Sequence, residues 1–353
     1  FSAKRTIMMQ RFWLISLLFV AGFSSCEKKP GNGPLPPVPD NSFMNPILDG
    51  GPDPWLVKQG NTYYYTHTLG NRIAIWKTAK VTELRRAPSQ TIWTPPASGP
   101  GSKNLWAPEI HFINNKWYAY YAADDGANEN HRMYVLENAS ADPLTGTWVS
   151  KGKITDPTDR WAIDGTVFEH NSQLYFMWSG WEGTVNERQN IYIAKMSNPW
   201  TMEGPRVLLS SPTLSWEQVG DPDVNEGPQF LKGPTGRVFV VYSASGCWTD
   251  DYSLGLLSLK NGGDPLNPAD WTKSTTPVFT KTATTYGPGH NSFFKSADGT
   301  EDWIMYHANA QSGQGCGDKR SPRMQKFTWN ADGTPSFGTP VAINTPIGKP
   351  AGE

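Results

Sequence analysis

Charge is neither abundant nor sorted in this sequence. Lys and Arg number 31 against 32 Asp and Glu, a formal net charge of -1, and no block of one sign stands out. That removes the usual grounds for expecting nucleic acid or an acidic lipid surface as partner. Cysteine is scarce, with three in 353 residues. Beyond Cys26 only Cys247 and Cys316 remain, and sequence alone leaves open whether they pair. The six histidines show no metal-ligand spacing, which argues against a metal-dependent hydrolase. The apolar run near the N-terminus, residues 12–23, is too short for an ordinary membrane span.

That run suits an export signal instead. Lys4, Arg5 and Arg11 form a basic stretch before or at the start of it, and Ser24 and Ser25 lead into Cys26. Small residues before a cysteine at this place resemble a bacterial lipoprotein signal, so residues 1–26 are read as the signal segment, with Cys26 lipidated. Export to the outer membrane surface or the periplasm follows as an expectation, with the lipid as the chain's one link to a membrane. Met8 or Met9 is a candidate start, since residue 1 is Phe. Residues 27–41 are rich in Pro and Gly and read as an extended tether. Residues 42–353 read as one catalytic domain, all-β domains of this size being common.

Turn formers and aromatics are plentiful: 34 Gly, 30 Pro and 16 Trp. They favour many short strands over long helices. An aromatic-rich strand recurs five times: NTYYYTH, NKWYAYYA, SQLYFMWS, GRVFVVYSA and EDWIMYHA. A polar turn precedes most copies, which is the mark of a hairpin. Upstream of each lies a second repeated element, holding Asp53, Glu109, Asp164, Glu226 and His290 in turn. Hairpin units that cannot bury their own faces should stack radially, so the expected fold is an all-β, five-bladed β-propeller. The inner strand of each blade then lines a central channel, and the five polar residues meet at its mouth.

Cleaving a glycosidic bond takes one ionised and one protonated carboxyl group. Three acids in one pocket, Asp53, Asp164 and Glu226, can supply that split, because neighbouring anions and burial raise the pKa of the most desolvated member. Taken alone, each Asp-Gly or Glu-Gly is a turn residue; their shared phase in five repeats is what points to chemistry.

The motifs GGPDPW, WAPEIHF, WAIDGTVF, NEGPQF and GPGHNSF, with RMQKFTWNADGTPSFG near the C-terminus, resemble glycoside hydrolase family 43. The resemblance runs from about residue 45 to 338. It implies a five-bladed propeller that hydrolyses with inversion, with Asp53 as general base, Glu226 as general acid and Asp164 orienting the acid and tuning its pKa. His290 would bind water or a cation below the sugar, and Arg323 would reach the sugar hydroxyls. Trp55, Trp106, Glu109, His111 and Trp178 are candidates for the substrate-binding wall, with core packing the rival reading for the aromatics. No cofactor is required. A structural calcium or sodium ion in the channel is left open, although no ligand loop for one is visible.

The local wording around these motifs is most similar to family members that release terminal arabinofuranose. The expected activity is therefore an inverting exo-α-L-arabinofuranosidase on arabinan or arabinoxylan, acting as a monomer on plant cell-wall polysaccharide or oligosaccharide. A β-xylosidase or an endo-α-1,5-arabinanase of the same family is the alternative, because specificity resides in loops. From other classes, a non-catalytic sugar-binding propeller would lack the matched acids, and a retaining fructan-active enzyme would need a closer carboxylate pair.

Overall fold

The computed structural model describes residues 39–353. The expected signal segment with Cys26, and the tether up to residue 38, lie outside the described residues. Each aromatic hairpin strand of the sequence becomes the second strand of a four-stranded antiparallel unit. Blade I spans residues 55–93, blade II 103–154, blade III 162–210, blade IV 223–273 and blade V 286–336. Blades III and IV are joined into one sheet by a short parallel contact, Arg188 and Gln189 beside Asp223 and Val224.

The innermost strands are Trp55–Gln59, Lys103–Ile113, Ala162–His170, Asp223–Lys232 and Tyr286–Lys295. Each packs against the next, and the last packs against the first, so the ring closes. Five apolar cores follow from this, one at each junction between neighbouring blades. Tyr120, Phe176, Trp178 and Tyr192 fill the junction of blades II and III, for example, and Tyr63, Phe294, Trp303 and Met305 that of V and I. Residues of a strand alternate between the two junctions that flank its blade, so both faces are buried and the strands read as aromatic and apolar throughout.

The two chain ends close the circle. Ser42–Met44 pairs antiparallel with Pro346–Gly348. Asn45, almost fully buried, donates through its amide to the Met324 carbonyl and accepts from the Met324 N–H, both at 3.0 Å. The Glu353 side chain accepts from the backbone N–H groups of Val81 and Thr82 in blade I. These contacts tie the first and last segments of the ring together.

Four of the five inner strands carry a register shift close to the axial position: between Trp106 and Glu109, Ile163 and Thr166, Glu226 and Gln229, and Gly289 and Ser292. The backbone there turns left-handed. Asp53 (φ 58°), Ala107 (41°), Asp164 (55°), Gly227 (53°) and His290 (47°) occupy equivalent places in blades I to V. A bulge of this kind re-aims a side chain at the end of a strand. Here it swings the residue out of the ladder and over the channel mouth.

Candidate active site

Asp53, Asp164, Glu226 and His290 come together at that mouth, as their shared phase predicts. They line one cavity of about 380 Å³. Oxygen and nitrogen atoms of Asp164, Glu226 and His290 lie within 4.8 Å of one another. His290 Nδ1 stands 3.4 Å from Asp53 Oδ1 and 3.9 Å from Asp164 Oδ2.

The two outer carboxyl groups have opposite environments. Burial alone would raise the pKa of Asp53. Arg320, whose Nη1 donates to Oδ1 at 3.0 Å, and the Thr68 hydroxyl, which donates to Oδ2 at 2.7 Å, act against it and favour the anion. The result holds Asp53 well below the usual carboxylate range, fully ionised. His307 supports the same residue from behind: its Nδ1 accepts the Asp53 backbone N–H at 3.0 Å. Burial keeps this imidazole neutral, which leaves Nδ1 free to accept.

Glu226 is the reverse case. Burial pushes its carboxyl up to about 7, with the Asp53 charge adding to the rise and the Tyr252 hydroxyl and Arg320 opposing it. Tyr252 donates to Oε1 at 2.8 Å. Asp164 is also raised, first by burial and then by the Glu226 charge. Two buried carboxyls this close cannot both ionise, so the pair keeps a proton near neutrality and titrates as a unit. Asp164 Oδ2 accepts the Gly227 N–H at 3.0 Å, which ties it to the backbone next to Glu226.

Comparison with known proteins gives the family. The family model for glycosyl hydrolases family 43 matches residues 43–335. The chain belongs to glycosyl hydrolase family 43. An extracellular exo-α-(1→5)-L-arabinofuranosidase of Streptomyces avermitilis is 44% identical over 330 residues, covering 90% of this chain and 68% of that protein. The α-L-arabinofuranosidase 43 of Humicola insolens is 38% identical, covering 94% and 69%. Among solved structures, an α-L-arabinofuranosidase from Lactobacillus brevis superimposes with a TM-score of 0.81 at 38% identity, over 86% of this chain and 98% of that one. Membership of family 43 makes the chain a glycoside hydrolase, and the closed ring of five blades is its propeller.

Several expected wall residues of the family 43 site stand elsewhere. Trp106 does line the cavity, its ring stacked on His131 at 4.0 Å between centroids. Glu109 does not. The residue equivalent to Asp53 in blade II is Ala107, and Glu109 lies two residues further down the strand, one layer deeper in the channel. There it accepts from Gln229 and shares a 2.8 Å contact with His111 Nε2. His111 is deeper still. Trp55 packs on His111 and donates its indole N–H to the Ile110 carbonyl, away from the cavity. Trp178 sits on a second strand, buried in the core between blades II and III. Arg323 is fully buried, donating to the Thr285 hydroxyl at 3.0 Å and the Ala308 carbonyl; the arginine in the cavity is Arg320.

Other lining residues were not legible in the sequence. Thr68, Asn128, Trp161, Asn186 and Trp248 reach the cavity from the connections between strands, and Gln189 from the start of the strand Arg188–Asn198. Cys247 and Cys316 are paired across the loops of blades IV and V, also at the cavity.

Calcium takes six to eight oxygen ligands. Among the described residues the one tight group of acid and histidine ligands is Asp164, Glu226 and His290. It offers a nitrogen and two carboxyls that already accept hydrogen bonds from Gly227 and Tyr252. This donor set does not fit a calcium cage.

Proposed function

We propose that this family 43 hydrolase is an exo-acting α-L-arabinofuranosidase, releasing terminal arabinofuranose from arabinan or arabinoxylan with inversion. The observation that carries the mechanism is the opposed protonation of Asp53 and Glu226 across one cavity. In the reaction, Asp53 draws a proton from water as the water oxygen bonds to the anomeric carbon. Glu226 gives its proton to the glycosidic oxygen as that bond breaks. Asp164 acts as a positioning residue: it holds the backbone beside Glu226 and helps keep the shared proton. Arg320 makes Asp53 a weak base in the free enzyme. A sugar hydroxyl that draws the guanidinium away raises its basicity once substrate is bound.

Exo action is supported by a compact pocket to whose wall all five blades contribute. At about 380 Å³ it lies at the small end of ligand pockets, roughly 300–1,000 Å³. The α-L-arabinofuranosidase names of the relatives support the choice of sugar. Export is supported by the Cys247–Cys316 disulfide, a bond that persists in oxidising compartments, and by a relative named extracellular. The proposal adds an acyl chain on Cys26 that holds the enzyme at the outer membrane surface or in the periplasm. Labelled palmitate should enter the wild-type protein expressed in a bacterium and not Cys26→Ser; equal labelling of both would reject the anchor.

The activity is tested on nitrophenyl α-L-arabinofuranoside, nitrophenyl β-xyloside and linear arabinan. The arabinofuranoside should be the better glycoside and free arabinose the first product from arabinan; larger first products would indicate endo action. Proton NMR should show the β-anomer first, and an initial α-anomer would overturn Asp53 as base. In kcat/KM the alkaline limb should fall at about pH 7, where Glu226 loses its proton. Toward acid, activity should persist until Asp53 takes up a proton, below the usual carboxylate range.

A further inference from the structure

One large apolar side chain at the cavity is left open to solvent. Trp248 is 42% exposed, and of the exposed large hydrophobics among the described residues it alone lines the catalytic cavity. It belongs to no apolar core. It stands on the loop between Val238–Ala244 and Ser253–Leu259, the same loop from which Tyr252 donates to Glu226.

Three separate constraints hold the ring there. Its indole lies on two glycines: a Cβ on Gly246 would come within 2.3 Å of the ring, and one on Gly220 within 2.9 Å of the indole nitrogen. Any side chain at Gly246 would displace it. The neighbouring Cys247 is bonded to Cys316 of blade V. Two residues beyond Trp248, Asp250 accepts from the Ser312 hydroxyl and, at 2.9 Å, from the Gly313 N–H. The loop is thereby strapped to the facing loop of blade V, and the tryptophan is presented to the cavity as a fixed surface.

The geometry points to Trp248 as the platform for the departing part of the substrate: the pentose ring next to the scissile bond stacks a C–H face on the indole. This rests on the arabinofuranosidase reading above and deepens it. Glu226 must reach the glycosidic oxygen, so the leaving sugar has to lie on the Glu226 side of the cavity, while the water of Asp53 comes from the opposite side. Trp248 shares blade IV with Glu226. Pro222, Asn186 and Gln189, which also line the cavity, carry no charge, which suits a neutral sugar. The acids on its own loop are engaged elsewhere, Asp250 with Ser312 and Asp251 with Lys281 at 2.7 Å.

The test compares kcat/KM on α-1,5-arabinotriose with that on methyl α-L-arabinofuranoside, whose aglycone has no ring. In the full chain, Trp248→Ala should lose about tenfold more on the trisaccharide than on the methyl glycoside, mostly through KM. Trp248→Leu keeps apolar volume without the ring and should show the same selective loss. Trp248→Phe should retain most of the preference. Equal losses on the two substrates, or no loss in either the Ala or the Leu variant, would overturn the platform while leaving the enzyme's activity intact. A wild-type protein that hydrolyses neither substrate would reject the functional reading itself, and the platform with it.

Discussion

Asp53→Asn is expected to lower kcat by roughly 10³–10⁴-fold with little change in KM, the usual cost of losing a general base. Asparagine suits the test because it is one of the few side chains that accept a left-handed backbone, which Asp53 has at φ 58°. Its carbonyl oxygen can still accept from Arg320 or Thr68, so the cavity and the stability should survive. Added azide should restore part of the rate, since a nucleophile that needs no deprotonation can attack where water cannot. It should yield the inverted arabinosyl azide. A variant that keeps more than about a tenth of the wild-type rate would remove Asp53 from the mechanism.

Glu226→Gln should depend on the leaving group. On arabinobiose, whose alkoxide must be protonated as it departs, kcat is expected to fall about 10²–10⁴-fold. On dinitrophenyl arabinofuranoside, whose phenolate leaves unaided, the loss should be small. The alkaline limb should also leave its wild-type position at about 7, because the Glu226 carboxyl that sets it is gone. Glutamine keeps an oxygen for the Tyr252 hydroxyl to donate to, so the local geometry is preserved. Equal losses on the two substrates would mean that Glu226 acts by shape or charge and not as the acid.

The fold was legible because a blade repeats both of its signals, the aromatic hairpin and the polar residue ahead of it. Five copies at similar spacing leave few architectures. Asp53, Asp164 and His290 were legible for the same reason, since phase in the repeat converts directly into height on the axis; Glu226 stands one residue before the equivalent Gly227 and reaches the same cavity. Phase failed where a bulge shifts it. Glu109 looks like a counterpart of Asp53 in the sequence, but the backbone turns at Ala107, and a step of two along a strand moves a side chain one layer down the channel. The family resemblance points to Arg323, whereas the arginine at the cavity is Arg320. In the structure Arg323 lies within the strand Ser321–Trp329 and faces inward, while Arg320 sits just before it, where no strand periodicity applies. Trp161, Asn186 and Trp248 come from loops, whose path depends on distant contacts such as the Cys247–Cys316 bond. Composition could name tryptophan as a sugar-binding type; it could not say which of sixteen would be left open.

The left-handed corner at the head of each inner strand limits what chemistry this ring can acquire. Glycine, asparagine, aspartate and histidine enter such a corner at little cost, whereas branched and long side chains resist it. Four of the five corners obey: aspartate twice, histidine once and glycine once, with only alanine departing. The acids at the corners are accordingly the short ones, and the long acid, Glu226, appears one step earlier, beside the glycine that makes the turn. A redesigned centre on this scaffold would have to draw its corner groups from the same short alphabet, and place anything larger at the position before a glycine.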